Sequence, residues 1–89
     1  MPLLNYSNPL HTFNTNGIFT ATKECYLGGC QTTSEAGNDI LINGTAVFHG
    51  KSPTSPSVYN PIPFIRLKAG DIVSCTTYQH PYLHIYDIA

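Results

Sequence analysis

The sequence predicts an all-β protein, an antiparallel β-sandwich with an extended N-terminal arm. No window of about a dozen residues repeats its apolar positions at helical spacing. Short runs of β-branched and aromatic residues recur instead between turn signals. Asn43-Gly44 stands between two apolar runs, and this dipeptide is the strongest short-range signal of a β-hairpin. The 89 residues suffice for one domain.

The first sixteen residues differ in composition from the rest. Residues 1–16 are rich in Asn, Pro, Ser and Thr and show no periodicity, which predicts an arm or linker. Residues 17–89 are assigned to the β-sandwich domain.

The strands predicted in the first half of this domain follow apolar and β-branched runs at 18–22, 25–27, 39–42 and 45–49. Gly28-Gly29 is expected to stop the second strand. The polar residues 31–38 are expected to form a loop.

The second half begins with a proline-rich stretch. Residues 50–63 contain four prolines and are expected to form a long surface loop, because proline lacks the amide donor of a central strand. Strands follow at 64–68, where Ile65 and Leu67 share one face, and at 72–77 and 82–88.

Composition excludes several functions. Charged residues make up 10% of the chain and the net charge is −1, so neither nucleic acid nor an anionic membrane is an expected partner. No catalytic motif, phosphate loop or paired acid and base occurs, so we expect neither an enzyme nor a cofactor. A domain this small with so few charges is expected to be covered in part by another surface.

The three cysteines leave two interpretations open. Cys25 and Cys30 are close enough in sequence for a bridge across the intervening glycines to be conceivable. Because Cys75 makes the number of cysteines odd, the favoured interpretation is three reduced cysteines that serve as small apolar side chains.

The last strand has two different faces. Leu83 and Ile85 are assigned to the core, and the opposite face consists of Tyr82, His84, Tyr86 and Ile88. This second face is more apolar than a solvent-exposed surface and more polar than a hydrophobic core. Side chains that combine both characters, tyrosine above all, are enriched at protein interfaces. It is predicted to pack against a neighbouring subunit, or alternatively under the N-terminal arm of the same chain.

Tyr59 and Asn60 are the candidate ligand-binding residues. They lie in the proline-rich stretch among Ser and Thr, the residue types that recognition loops use. The alternative is a rigid connector fixed by Pro61 and Pro63. The polar stretch 31–38 is a second recognition candidate.

Four segments resemble the small jelly-roll domains at the ends of bacteriophage fibre and spike proteins. They are GIFTAT (17–22), NGT (43–45), IRLKAGDIV (65–73) and LHIYDI (83–88). The trimeric domains of the tumour necrosis factor and C1q type share this architecture. The resemblance covers most of the chain after the arm and implies a jelly-roll-like sandwich that forms a homotrimer on the virion.

A threefold axis in a trimer could bring three copies of one histidine together. One inward His84 or His49 per chain would bring three imidazoles together as a zinc or nickel site. Surface or interface histidines with ordinary hydrogen bonds are the favoured interpretation, so no metal site is predicted.

The expected function is therefore a virion structural protein, a trimeric fibre or spike tip that binds a host-surface receptor, with a glycan as the expected ligand. The arm 1–16 would attach it to other virion proteins. The alternatives are a purely structural trimerisation or capsid-decoration protein, and a small carbohydrate-binding module of a secreted protein.

Overall fold

The computed structural model describes residues 1–13, 16–32, 38–50, 59–76 and 82–89, with the backbone alone for Tyr82. These residues form eight β-strands: β1 (His11–Phe13), β2 (Gly17–Thr20), β3 (Cys25–Thr32), β4 (Asn38–Ile42), β5 (Thr45–Gly50), β6 (Tyr59–Leu67), β7 (Ile72–Cys75) and β8 (Tyr82–Asp87). The all-β prediction is confirmed.

The strands build two four-stranded antiparallel sheets that face each other. Their orders are β1-β8-β3-β6 and β2-β7-β4-β5. One continuous core joins the two sheets, and its side chains come from both, among them Phe13, Leu27, Leu67, Leu83 and Ile85 on the first sheet and Ile40, Val73 and Cys75 on the second. The predicted β-sandwich is confirmed at this level.

The predicted hairpin is present as β4 and β5. Asn43 and Gly44 both have positive φ, 52° and 82°, as a turn between antiparallel strands with matching twist requires. The turn is also tied to the one before β7. Asn43 Oδ1 accepts the Ile72 amide at 2.9 Å and Asn43 Nδ2 donates to Asp71 Oδ1 at 3.0 Å, while Asp71 Oδ2 accepts the Lys68 amide at 2.8 Å.

The prediction that β3 stops at Gly28-Gly29 is wrong, because the strand continues to Thr32. Gly29 adopts a φ of 122°, and the register with β6 shifts between Leu27 and Gly29. The shift places one residue of β3, Gly28, opposite two of β6. The glycines therefore form an irregularity within a continuous strand.

The prediction of a loop over 50–63 is also wrong for its last five residues. Tyr59 to Pro63 belong to β6, which is an edge strand of its sheet, where a residue without an amide donor is tolerated. Residues 51–58 lie outside the described part of the chain.

The N-terminal segment runs along β8. Leu4 forms a bridge with Ile88 and is 4% exposed. The Asn5 amide donates to Asp87 O at 2.9 Å, and the Ala89 amide donates to Leu3 O at 2.9 Å. Residues 11–13, placed in the arm by sequence, form β1 and pair with β8.

Candidate functional site

Among the side chains that the structure describes, five aromatic ones lie on the outer face of the β1-β8-β3-β6 sheet. Strand alternation places four of them opposite the core, because Leu27, Leu67 and Ile85 point inward on the same strands. We call this surface the aromatic face; it consists of Tyr6, Tyr26, Phe64, His84 and Tyr86. Tyr26 is only 8% exposed, so the accessible part of the face comes from the other four.

Tyr6 reaches this face through a detour in the N-terminal segment. The Asn5 amide bonds to Asp87 O and the Leu10 amide bonds to Ile85 O. Five residue steps of the segment therefore match only two steps of β8, and residues 6–9 must leave the edge. The detour sets the Tyr6 ring edge-on to Tyr86, with centroids 5.2 Å apart, and 6.3 Å from Phe64.

Phe64 lies over a glycine. A Cβ added to Gly28 would be 2.5 Å from two ring carbons of Phe64, far inside any normal contact. The ring centroid lies 6.1 Å from that of Tyr86. The absence of a side chain at Gly28 thus lets Phe64, Tyr6 and Tyr86 form a three-ring cluster on the sheet surface.

His84 adjoins this cluster and is held in place. Its Nδ1 is 2.9 Å from Thr12 Oγ1 on β1, and its ring centroid is 5.6 Å from that of Tyr86. Its partner on β3 is Gly28, which contributes no side chain beside the ring.

The aromatic face is poor in charge. Arg66 binds Glu24 at 2.7 Å, and Lys23 binds Asp87 at 2.8 Å, so these four charges are paired. Burial raises the pKa of Tyr86, with smaller contributions from Tyr6 and Cys30. The phenol of Tyr86 is therefore neutral around pH 7 and offers an uncharged hydrogen-bonding group.

The structure describes the side chains of three of the four predicted interface residues. His84 and Tyr86 lie half-buried on the aromatic face, and Ile88 is half-buried beside Leu4. The Tyr82 side chain lies outside the described part. Leu83 and Ile85 are fully buried, as the strand alternation predicts.

Sequence reasoning missed three members of the aromatic face. Alternation with Ile65 and Leu67 could have placed Phe64 on it, and alternation with Cys25 and Leu27 could have placed Tyr26. No sequence signal marks Tyr6, because its position depends on the detour.

The candidate ligand-binding residues stand at the start of β6. Tyr59 is 54% exposed, and Asn60 is half-buried. In the second recognition candidate, 31–38, the residues Gln31, Thr32 and Asn38 belong to strands and are at most 1% exposed, so these three cannot contact a ligand. Residues 33–37 lie outside the described part.

The two histidines considered for an axial metal lie on different sheets. His84 is on the aromatic face, whereas His49 is on β5 and contacts Asp39 through Nδ1. Within the described ranges, no three His, Cys, Asp or Glu side chains are grouped so that they could hold an ion.

The three cysteines are free. Cys25 and Cys30 belong to one extended strand, where five steps separate their Cα atoms by about 16 Å. A disulfide requires Cα atoms within about 7 Å. The bridge considered from sequence therefore does not fit this strand.

Comparison with protein-family models, with curated proteins and with solved structures finds no match for this chain. Among the described residues, no helix has the length and hydrophobicity needed to span a membrane.

Proposed function

We propose that this chain is a non-enzymatic virion module, a jelly-roll domain at the tip of a phage fibre or spike. It assembles as a homotrimer through the aromatic face and binds a host-surface receptor, with a glycan as the ligand. The observation that carries the proposal is the aromatic face itself.

The strand pairing supports the jelly-roll assignment. The chain pairs β1 with β8, β2 with β7, β3 with β6 and β4 with β5, all antiparallel. These four nested pairs are what a single long hairpin gives when it is rolled into two sheets. Eight strands in two such sheets define the jelly roll, an architecture common in viral structural proteins.

The character of the aromatic face supports association with a second copy. Tyr6 and Phe64 are 53% and 42% exposed, although they lie in a cluster of rings. Tyrosine and histidine combine apolar area with polar atoms. Such side chains suit a surface that is exposed to solvent in the monomer and buried in the oligomer. Because the charges near this face are paired, identical copies can approach one another without strong repulsion.

The same cluster bears on the alternative that the N-terminal segment covers this face. Tyr6 does contact Tyr86 and Phe64 from within the chain. Tyr6 nevertheless remains 53% exposed and Phe64 42% exposed, so the N-terminal segment leaves these two rings accessible to a partner. Tyr6 is accordingly part of the proposed interface.

Receptor binding is assigned to Tyr59 and Asn60. Tyr59 offers an exposed aromatic surface at an edge strand, and Asn60 stands next to it. Aromatic rings beside amides suit the apolar faces and hydroxyl groups of sugars. Three weak sites on one rigid trimer would gain avidity without new contacts.

Light scattering behind a sizing column tests the assembly. We expect three times the 9.7 kDa chain mass for the wild type and the chain mass itself for Tyr82→Ser with Tyr86→Ser. Ile18→Ser with Val47→Ser is the matched control, because both residues are exposed and apolar on the other sheet. A wild-type monomer, or a trimer that survives the tyrosine substitutions, would refute the assigned interface.

Glycan-array binding separates a receptor-binding tip from a purely structural one. We expect binding by the wild type and its loss in Tyr59→Ala, with the trimer intact. A trimer that binds no glycan would favour a trimerisation or capsid-decoration module.

A further inference from the structure

We infer that His84 makes assembly through the aromatic face dependent on pH, so that mild acid separates the subunits. This inference rests on the proposed function, because it requires that a second copy covers the face.

The position of His84 exposes its charge state to a partner. The ring lies half-buried beside Tyr86, and Thr12 holds its Nδ1 at 2.9 Å. Gly28 next to it has no side chain, and the Phe64 ring of the three-ring cluster lies over that glycine. A second copy seated on the three-ring cluster would therefore come against the imidazole.

The described groups that face His84 include no carboxylate and no cationic side chain. They are Thr12 on β1, Gly28 between Tyr26 and Cys30 on β3, and Tyr86 on β8. The N-terminal segment contributes Tyr6, which contacts Tyr86. The acidic side chains of Glu24 and Asp87 are bound to Arg66 and Lys23. Among the described residues, a protonated His84 thus has no counter-ion on this face.

The consequence follows from desolvation. A neutral imidazole can be covered by a partner and still form hydrogen bonds, whereas an imidazolium loses its hydration and gains no opposite charge. Protonation therefore favours the separated chains, and assembly weakens as the pH falls. Histidine is the side chain whose ordinary charge change lies between about pH 5 and 8.

The size of the effect follows from linkage. A trimer that must release one proton per chain to assemble has a dissociation constant that rises by up to about 1000-fold for each pH unit below the transition. At fixed concentration this converts a trimer into a monomer within a narrow interval of pH.

The experiment is light scattering at about pH 8 and about pH 5, with circular dichroism at both to monitor the fold. It compares the wild type with His84→Gln, which keeps a hydrogen-bonding group without the charge, and with His49→Gln. His49 is an exposed histidine on the other sheet and serves as the control.

We expect the wild type and His49→Gln to be trimers at the higher pH and folded monomers at the lower pH. The dissociation constant of His84→Gln, whatever its value at the higher pH, should be the same at the lower pH. A wild-type trimer at both pH values would overturn the inference while leaving the proposed interface intact. A wild-type monomer at the higher pH would refute the interface and this inference together.

A second measurement does not depend on the variant. The wild-type dissociation constant, measured across this pH range, should rise with a slope approaching three protons per trimer. A flat dependence, or equal acid dissociation of wild type and His84→Gln, would contradict the assignment to His84.

Discussion

Placing alanine at Gly28 should destabilise the protein, although the same change in a strand is ordinarily favourable. The φ of Gly28 is not positive, so alanine fits the backbone and should gain about 0.5–1 kcal/mol over glycine. The new Cβ, however, would lie 2.5 Å from the Cδ1 and Cε1 atoms of Phe64. Carbon atoms pack best at about 3.5–4.0 Å, so the ring must move by about 1 Å or more.

The expected magnitude comes from the contacts of that ring. Phe64 contacts Tyr6 and Tyr86, and each aromatic pair contributes about 0.5–1.5 kcal/mol beyond its buried area. Losing both costs about 1–3 kcal/mol, against a gain of about 0.5–1 kcal/mol from alanine. We expect Gly28→Ala to lower the free energy of unfolding by about 1 kcal/mol, and by at most about 2.5 kcal/mol.

Urea unfolding of a double-mutant cycle at one protein concentration provides the assay. In the Phe64→Ala background the clash is absent, so Gly28→Ala should become stabilising. This change of sign isolates the contact between the two residues. The reasoning fails if Gly28→Ala stabilises the wild type, or if it costs the same amount in both backgrounds.

Three further outcomes follow from the structure. The Lys68 amide and the Asn43 side chain lower the pKa of Asp71, so the stabilisation from its carboxylate is complete above about pH 4 and is lost as the pH falls through the lowered pKa. Between about pH 5 and 2 the urea midpoint should therefore fall less in Asp71→Asn than in the wild type. Parallel curves for the two proteins would contradict this. Burial raises the pKa of the Cys25 and Cys75 thiols, so mass spectrometry should find both unmodified after native alkylation and modified after unfolding; native labelling of either would count against the core. Gly70 has a φ of +94° with no atom within 4 Å of an added Cβ, so Gly70→Ala should cost about 1–2 kcal/mol through the backbone alone, and an unchanged urea midpoint would argue against that conformation.

Local patterns predicted those parts of the fold that local chemistry controls. Asn43-Gly44 specifies its turn through the φ values it tolerates, whatever the rest of the chain does. Leu83 and Ile85 identified the inner face of β8, because strand periodicity and burial leave one arrangement.

The errors occurred where distant contacts override local preference. Gly28-Gly29 looked like a strand stop, yet Phe64, far along the chain, packs over Gly28 within a continuous sheet. Tyr59 to Pro63 looked like a loop because prolines disrupt central strands, but an edge strand accepts them.

The candidate site shows the same division. His84 and Tyr86 followed from alternation along a single strand. The contribution of Tyr6 could not be predicted, since it depends on how residues 6–9 detour between two hydrogen bonds to β8.

The meeting of the two chain ends has a practical consequence. The Ala89 amide bonds to Leu3 O, and Leu4 pairs with Ile88, so both ends lie side by side at one edge of the first sheet. A short peptide could join them without disturbing either sheet, and new ends could be opened at the exposed Asn43-Gly44 turn. Such a circular permutant would keep every strand pair and would lose only the covalent link between β4 and β5. A protein fused to its new ends would be attached at that turn instead of at the edge of the first sheet.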